Sequence, residues 1–240
     1  MSNTQDNRLK LCAGLTLVEL VVAMSILAVL STMLVMVWTN LQRSYASTIS
    51  STRARETARD AMARMRREIR DMQLQPVTPY LPVTLQGEPC ILKATPDEIW
   101  FTTPYSDLPG STFAGSILLT RYWYDATGAD GGTARCLYRQ RDVNNNGVFD
   151  SGDPQILVAR NIVNALVPST DPTSSSTPLF RYTYYTAGGL RASAPAVPTD
   201  GDRSRIMLIK VQILVDLNPG KTPNYMDLES TVQPRNLRQI

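Results

Sequence analysis

The chain has 240 residues, 24 basic and 21 acidic, with three cysteines and no histidine. Without histidine it holds no Ser-His-Asp or Cys-His nucleophile system and no His-based zinc site. Its net charge of +3 is concentrated on residues 53–71, where seven Arg are interleaved with four acids; that mixture reads as a solvated helix face, not as the basic patch of a nucleic-acid-binding domain.

Residues 1–14 form a short polar leader with Arg8 and Lys10 near its end and Gly14 as its last residue. The run Leu15–Trp38 follows, 24 residues in which Glu19 is the single charge. As a helix it reaches about 36 Å, more than the roughly 30 Å of a hydrocarbon core. Basic residues directly before it predict a cytoplasmic N-terminus, with the rest of the chain outside. An ordinary secretory signal has a shorter apolar region that ends in small residues, and this run ends in Met36-Val37-Trp38. A carboxylate inside such a run costs on the order of 3 kcal/mol near a membrane centre, which marks Glu19 as a functional residue.

No Gly or Pro interrupts the chain from Leu15 to Gln75, so residues 15–75 read as one helix with residues 15–38 as its membrane-spanning part. In its second half Ala58, Ala61, Met62, Met65, Ile69 and Met72 recur at spacings of three and four, the stripe of a helix that docks on a core. Asp60–Arg64, Arg64–Glu68 and Arg67–Asp71 predict helix-surface pairs worth a few tenths of a kcal/mol each.

Pro76, Pro79 and Pro82 end the helix and open a head, residues 76–240. Strand-like runs follow at Cys90–Lys93, Glu98–Thr103, Ser116–Tyr124, Arg135–Arg141, Gln155–Arg160, Leu179–Thr186, Arg205–Asp216 and Met226–Gln233. Met207, Ile209, Val211, Ile213 and Val215 alternate with polar residues and are expected to face the helix. Thr170–Pro178 and Ala192–Asp202 read as loops. A helix followed by strands predicts an α+β fold, a long N-terminal helix packed on an antiparallel sheet. No nucleophile motif or phosphate loop is present, and the chain does not read as an enzyme.

Between two of these strands, Asp142–Asp153 has the spacing of a twelve-residue calcium loop. Oxygen side chains fall at its positions 1, 3, 5, 9 and 12, on Asp142, Asn144, Asn146, Asp150 and Asp153. Val148 offers its carbonyl, Gly147 stands at the sharp turn and Phe149 at the usual apolar position. A hard cation needs about six converging oxygens, and this spacing supplies them; the bland alternative is an Asn/Gly-rich hairpin turn. The expected cofactor is a structural Ca2+. Cys12 lies in the leader; beyond it remain Cys90 and Cys136, an even pair that predicts a disulfide outside the cytoplasm, against two separate buried thiols.

The leader ending in Gly14, then Leu15-Thr16-Leu17-Val18-Glu19 and an apolar helix, resembles the class III signal peptide of type IV pilins and pseudopilins. The resemblance covers residues 1 to about 40. It implies that a prepilin peptidase cuts between Gly14 and Leu15 and methylates the new amine of Leu15. It implies further that the chain resides in the bacterial inner membrane and then joins other pilins or pseudopilins in a helical filament. Glu19 would pair with the amine of a neighbouring subunit and so serve assembly. Many major pilins carry a helix-breaking Pro in the apolar part, and this chain does not. In the head, the Leu137-Tyr138-Arg139 and Phe180-Arg181-Tyr182 strands and Thr231-Val232 followed by Arg235-Asn236 resemble larger minor pilins of the W type or minor pseudopilins of the J type. The expected function is a minor pilin-like subunit that primes or caps a pilus. A minor pseudopilin of type II secretion and a calcium-dependent adhesin or DNA-uptake pilin are the alternatives.

Overall fold

The computed structural model describes residues 16–72, 90–104, 117–128, 133–144, 146–169, 175–197, 199–217 and 225–234. The cleavage residues Gly14 and Leu15 lie outside them. The chain divides into two compact units, residues 1–48 and residues 49–240.

One helix, α1 (Leu17–Arg70), contributes to both units. Its part in the first unit is exposed at every large apolar side chain, from Leu17 to Tyr45. Several hydroxyls here bond back within the helix: Ser25 donates to the Val21 carbonyl and Thr32 to the Ala28 carbonyl, each at 2.7 Å. Such back-bonding satisfies those hydroxyls without water, which suits an apolar helix surface. By length and composition α1 is able to cross a membrane.

In the second unit α1 buries the stripe read from its periodicity: Ala58, Ala61, Met62, Met65, Ile69 and Met72 are all in the core. The helix ends at Arg70, and its last turn tightens as Met72 N–H bonds to the Ile69 carbonyl. Among the described residues no ion pair joins Asp60 to Arg64 or Arg67 to Asp71. Exposed pairs of that kind gain too little to hold two long side chains in place.

The strands form two antiparallel sheets where one was expected. The first runs in sequence order: β1 (Ile91–Ala94), β2 (Glu98–Pro104), β3 (Ile117–Asp125), β4 (Cys136–Arg141) and β5 (Gln155–Ala159). The second contains β6 (Phe180–Tyr185), β7 (Arg191–Ala194), β8 (Ile206–Asp216) and β9 (Tyr225–Val232), ordered β7-β6-β8-β9. A single bridge, Ile162 to Val215, links the segment after β5 to β8. Residues of α1 and of both sheets share one buried core that includes Met65, Ile69, Phe101, Tyr122, Phe180 and Ile209. On β8, Ile209, Val211, Ile213 and Val215 face that core as expected, but Met207 does not. The pairing with β6 steps from Leu208 to Ile206, so Met207 falls in a bulge that breaks the alternation.

Two expectations are corrected. Ala192–Asp202 is not one loop: β7 pairs with β6 through Ala192 and Ala194, and a short helix, α2 (Asp200–Arg203), is capped by Thr199 accepting from Asp202 N–H. Cys90 and Cys136 are not a disulfide but two free, buried thiols. Cys90 sits at the start of β1 and Cys136 begins β4, with β2 and β3 between them. Three strand spacings of about 4.8 Å alone put at least roughly 14 Å between them, twice the span a disulfide closes.

Candidate functional site

The start of α1 builds its own cap. Thr16 donates to Glu19 Oε2 from both its N–H and its hydroxyl, each at 3.0 Å, and accepts from Glu19 N–H at 3.3 Å. This reciprocal arrangement is a capping box, which satisfies donors that the first helical turn leaves open. The Thr-x-x-Glu spacing carried that signal, although only the acid was read from it. Only Oε2 is engaged; among the described residues Glu19 Oε1 accepts no bond.

Deeper along α1, the same face that carries the methionine stripe turns one carboxylate inward. Glu68 Oε1 accepts from Arg139 Nη2 at 2.7 Å and from Arg141 Nη2 at 3.2 Å. Its Oε2 accepts from Arg139 Nε at 3.0 Å and from the Tyr122 hydroxyl at 2.7 Å. Arg139 therefore grips the carboxylate with two parallel bonds, the strongest geometry available to such a pair. Glu68 and Arg139 are each 6% exposed. Burial, and then the Glu68 charge, push the Tyr122 hydroxyl well above its ordinary range. The cluster ties helix to sheet across 54 to 73 residues of sequence. Arg64, the expected partner of Glu68, is not its partner.

The loop between β4 and β5 brings the expected calcium-loop residues together. Gly147 takes a φ of +84°, the sharp turn that its position requires. Asp142 is fully buried and accepts from Asn146 N–H at 3.1 Å and Gly147 N–H at 2.7 Å, one on each oxygen. Asn144 and Asn146 both reach Asp150 Oδ2, at 3.0 and 2.9 Å. Those bonds, the one from Asn144 first, hold the exposed Asp150 carboxyl below its usual range. Asp153 ties the loop ends together by accepting from Val143 N–H at 2.8 Å and Asp150 N–H at 3.0 Å. Buried Gln140 fastens the same end by donating to the carbonyls of Asp150 and Asp153.

These residues fit a calcium ion in part. Asn144 and Asn146 both donate to Asp150 Oδ2, while their own Oδ1 atoms accept from Asn146 N–H and Val148 N–H; turning the amides to present oxygen to an ion would break those two backbone bonds. Both oxygens of Asp153, like both of Asp142, already accept backbone N–H groups, so each closes the loop and has at most a second lone pair per oxygen to offer an ion, and neither is placed as a two-oxygen ligand. Among the described residues no three His, Cys, Asp or Glu side chains gather as a metal group; the oxygens here mix carboxylate, amide and the Val148 carbonyl. Phe149, at the apolar position, packs edge-on to Trp100 at 5.1 Å and lies 5.0 Å from the Arg121 guanidinium. Arg121 also stacks on Trp123 at 3.9 Å, so the loop is fastened to the first sheet.

The two cysteines among the described residues are buried thiols. Burial pushes the Cys90 thiol up to about 12 and raises that of Cys136 as well, which keeps both protonated and unreactive.

Compared with known families, the chain matches the model described as the prokaryotic N-terminal methylation motif at residues 9–35. This is the class III signal typical of type IV pilins and pseudopilins, and its span includes Gly14, Leu15 and Glu19. The signal implies processing by a prepilin peptidase, anchoring in the inner membrane and assembly with other pilins, the properties of a structural subunit. None of the curated proteins matches the chain.

Proposed function

We propose that the chain is a minor pilin-like subunit that primes or caps a type IV pilus filament. The observation that carries this reading is the methylation motif at residues 9–35 set on a helix whose apolar side chains are exposed from Leu17 onward. Cleavage after Gly14 frees the amine of Leu15, which is then methylated. In the filament that positive amine needs a partner away from water. Glu19 of an adjacent subunit offers Oε1 while its Oε2 still caps its own helix. Two such charges about 4 Å apart attract by roughly 4 kcal/mol at an effective dielectric near 20, which favours one axial register over others. The head, held on α1 through Glu68, is the part presented outside the cytoplasm.

The loop Asp142–Asp153 is proposed to hold a structural Ca2+ through Asp142, Asn144, Asn146, Asp150 and the Val148 carbonyl, with Asp153 closing the loop. The ion would be balanced by the Asp142 and Asp150 carboxylates and would fix the hairpin between β4 and β5.

Intact mass of the protein purified from membranes tests the main reading. The expected mass is that of a chain beginning at a methylated Leu15. A chain that keeps Met1, or that begins beyond Trp38, overturns it.

A further inference from the structure

The free edge of the first sheet lies beside α1. β5 is the last strand of that sheet, and among the described residues nothing pairs with its outer side. Between β5 and α1 runs a groove of about 350 Å³. Arg53, Ala54 and Thr57 of α1 line one wall; Val158 and Arg160 are on the other. All of these residues belong to the second unit.

Exposed strand edges are normally blunted because they recruit other chains. β5 has no Lys or Pro between Gln155 and Ala159. It does carry a bulge, since Leu137 pairs with Ala159 while Tyr138 pairs with Leu157. The extra residue is Val158, and it contributes to the groove rather than closing it. Ala54 and Val158 make part of the groove apolar; Arg53 and Arg160 place two cations along it. No acidic residue lines the groove, and among the described residues neither guanidinium forms an ion pair with a carboxylate.

We infer that this groove receives an extended acidic segment of the neighbouring filament subunit. Its carboxylates meet Arg53 and Arg160, and an apolar side chain rests on Ala54 and Val158. A segment that carries both acidic and apolar residues suits the site, because each wall offers one cation and one apolar side chain. The inference rests on the filament-subunit reading for the identity of the partner. Its charge and shape requirements are independent of that reading.

The test uses the full chain in detergent micelles and two labelled octapeptides, one alternating Val and Glu and the other alternating Val and Gln. Fluorescence anisotropy is expected to show saturable binding of the Val–Glu peptide, weakening as salt is raised. The Val–Gln peptide is expected to bind several-fold more weakly, up to about tenfold, the scale of two exposed ion pairs. Arg53→Ser with Arg160→Ser should lose the same factor, while Arg53→Lys with Arg160→Lys should retain most of the binding and so report a folded groove. No saturable binding, equal binding of the two peptides, or binding unchanged in the double Ser variant would overturn the inference. A failed titration would leave a methylated Leu15 in place. An unprocessed chain would remove the filament reading without touching the peptide result.

Discussion

Glu68 is the residue on which the helix–sheet contact turns, and its charge is balanced by Arg139 and Arg141 in a buried site. Replacing a buried pair with apolar groups is often tolerated, but removing one member strands the others, at about 3–5 kcal/mol. Glu68→Gln keeps the shape and deletes the charge that two guanidiniums share. Urea unfolding of the full chain in detergent is expected to lose about 3 kcal/mol; a loss under about 1 kcal/mol would mean that the arginines find other acceptors. Tyr122 gives the same cluster a pH signature. Its hydroxyl titrates well above the ordinary value of 10 in the folded chain, through burial first and the Glu68 charge second. A group raised on folding contributes fully below its unfolded pKa, so the stability it supplies is lost as pH rises from 10 toward the folded value. Within that window the loss is about 1.4 kcal/mol per pH unit. Tyr122→Phe should flatten the alkaline limb of the stability profile by one tyrosine's share. Tyr182, fully buried and shifted the same way, keeps its own share. An alkaline slope identical to that of the parent chain would reject this assignment.

At the scale of elements, periodicity carried far but pairing did not. The methionine stripe of α1 was readable because spacings of three and four leave one face apolar, and that face is the buried one. Glu68 shares the face, yet nothing near it in sequence announces partners 71 and 73 residues away. The strand at Arg191–Ala194 was missed for a related reason. It is a four-residue edge strand of small and polar side chains, specified by its pairing with β6 rather than by its own composition. Thr16 and Glu19 are the converse case, a local cap fully present in the Thr-x-x-Glu spacing. That cap separates two roles for Glu19. Gln at this position still completes a capping box but carries no charge. Both Glu19→Gln and Glu19→Ala are therefore expected to be cleaved after Gly14 and to keep a folded head, yet to enter the sheared filament fraction poorly on immunoblots. If Glu19→Gln assembles like the parent while Glu19→Ala does not, capping is the whole role and the amine–carboxylate pairing is wrong.

Across the whole molecule, the calcium-loop motif and the helix tether turn out to be neighbours. The motif's spacing was legible from its oxygens and from Gly147, but its anchoring was not, because Phe149 meets Trp100 and Arg121 only once β2 and β3 pair. Asp142, the first loop residue, directly follows Arg141, which donates to Glu68. An ion held by the loop would therefore stiffen β4 at the point where it grips α1, and the effect should reach global stability. Binding to the folded chain alone stabilises by linkage, about 2.7 kcal/mol at a free calcium one hundred times the dissociation constant. With two carboxylates, two amides and a carbonyl as ligands, that constant is expected on the order of 10⁻⁴ M or weaker, the range of extracellular modules. The full chain in detergent should thus melt several degrees higher in 10 mM calcium than in chelator. Magnesium should substitute poorly, since it demands tighter octahedral geometry. Asp142→Asn keeps one oxygen at the first position but removes one charge and leaves one of the two loop N–H groups facing an amide donor; it should shrink the calcium effect and also lower the melting temperature in chelator, by the cost of one lost buried acceptor. Tryptophan emission offers a local readout, because Phe149 on the loop touches Trp100. Equal melting temperatures in calcium and chelator, with no calorimetric heat of binding, would make Asp142–Asp153 an Asn/Gly turn closed by its own carboxylates.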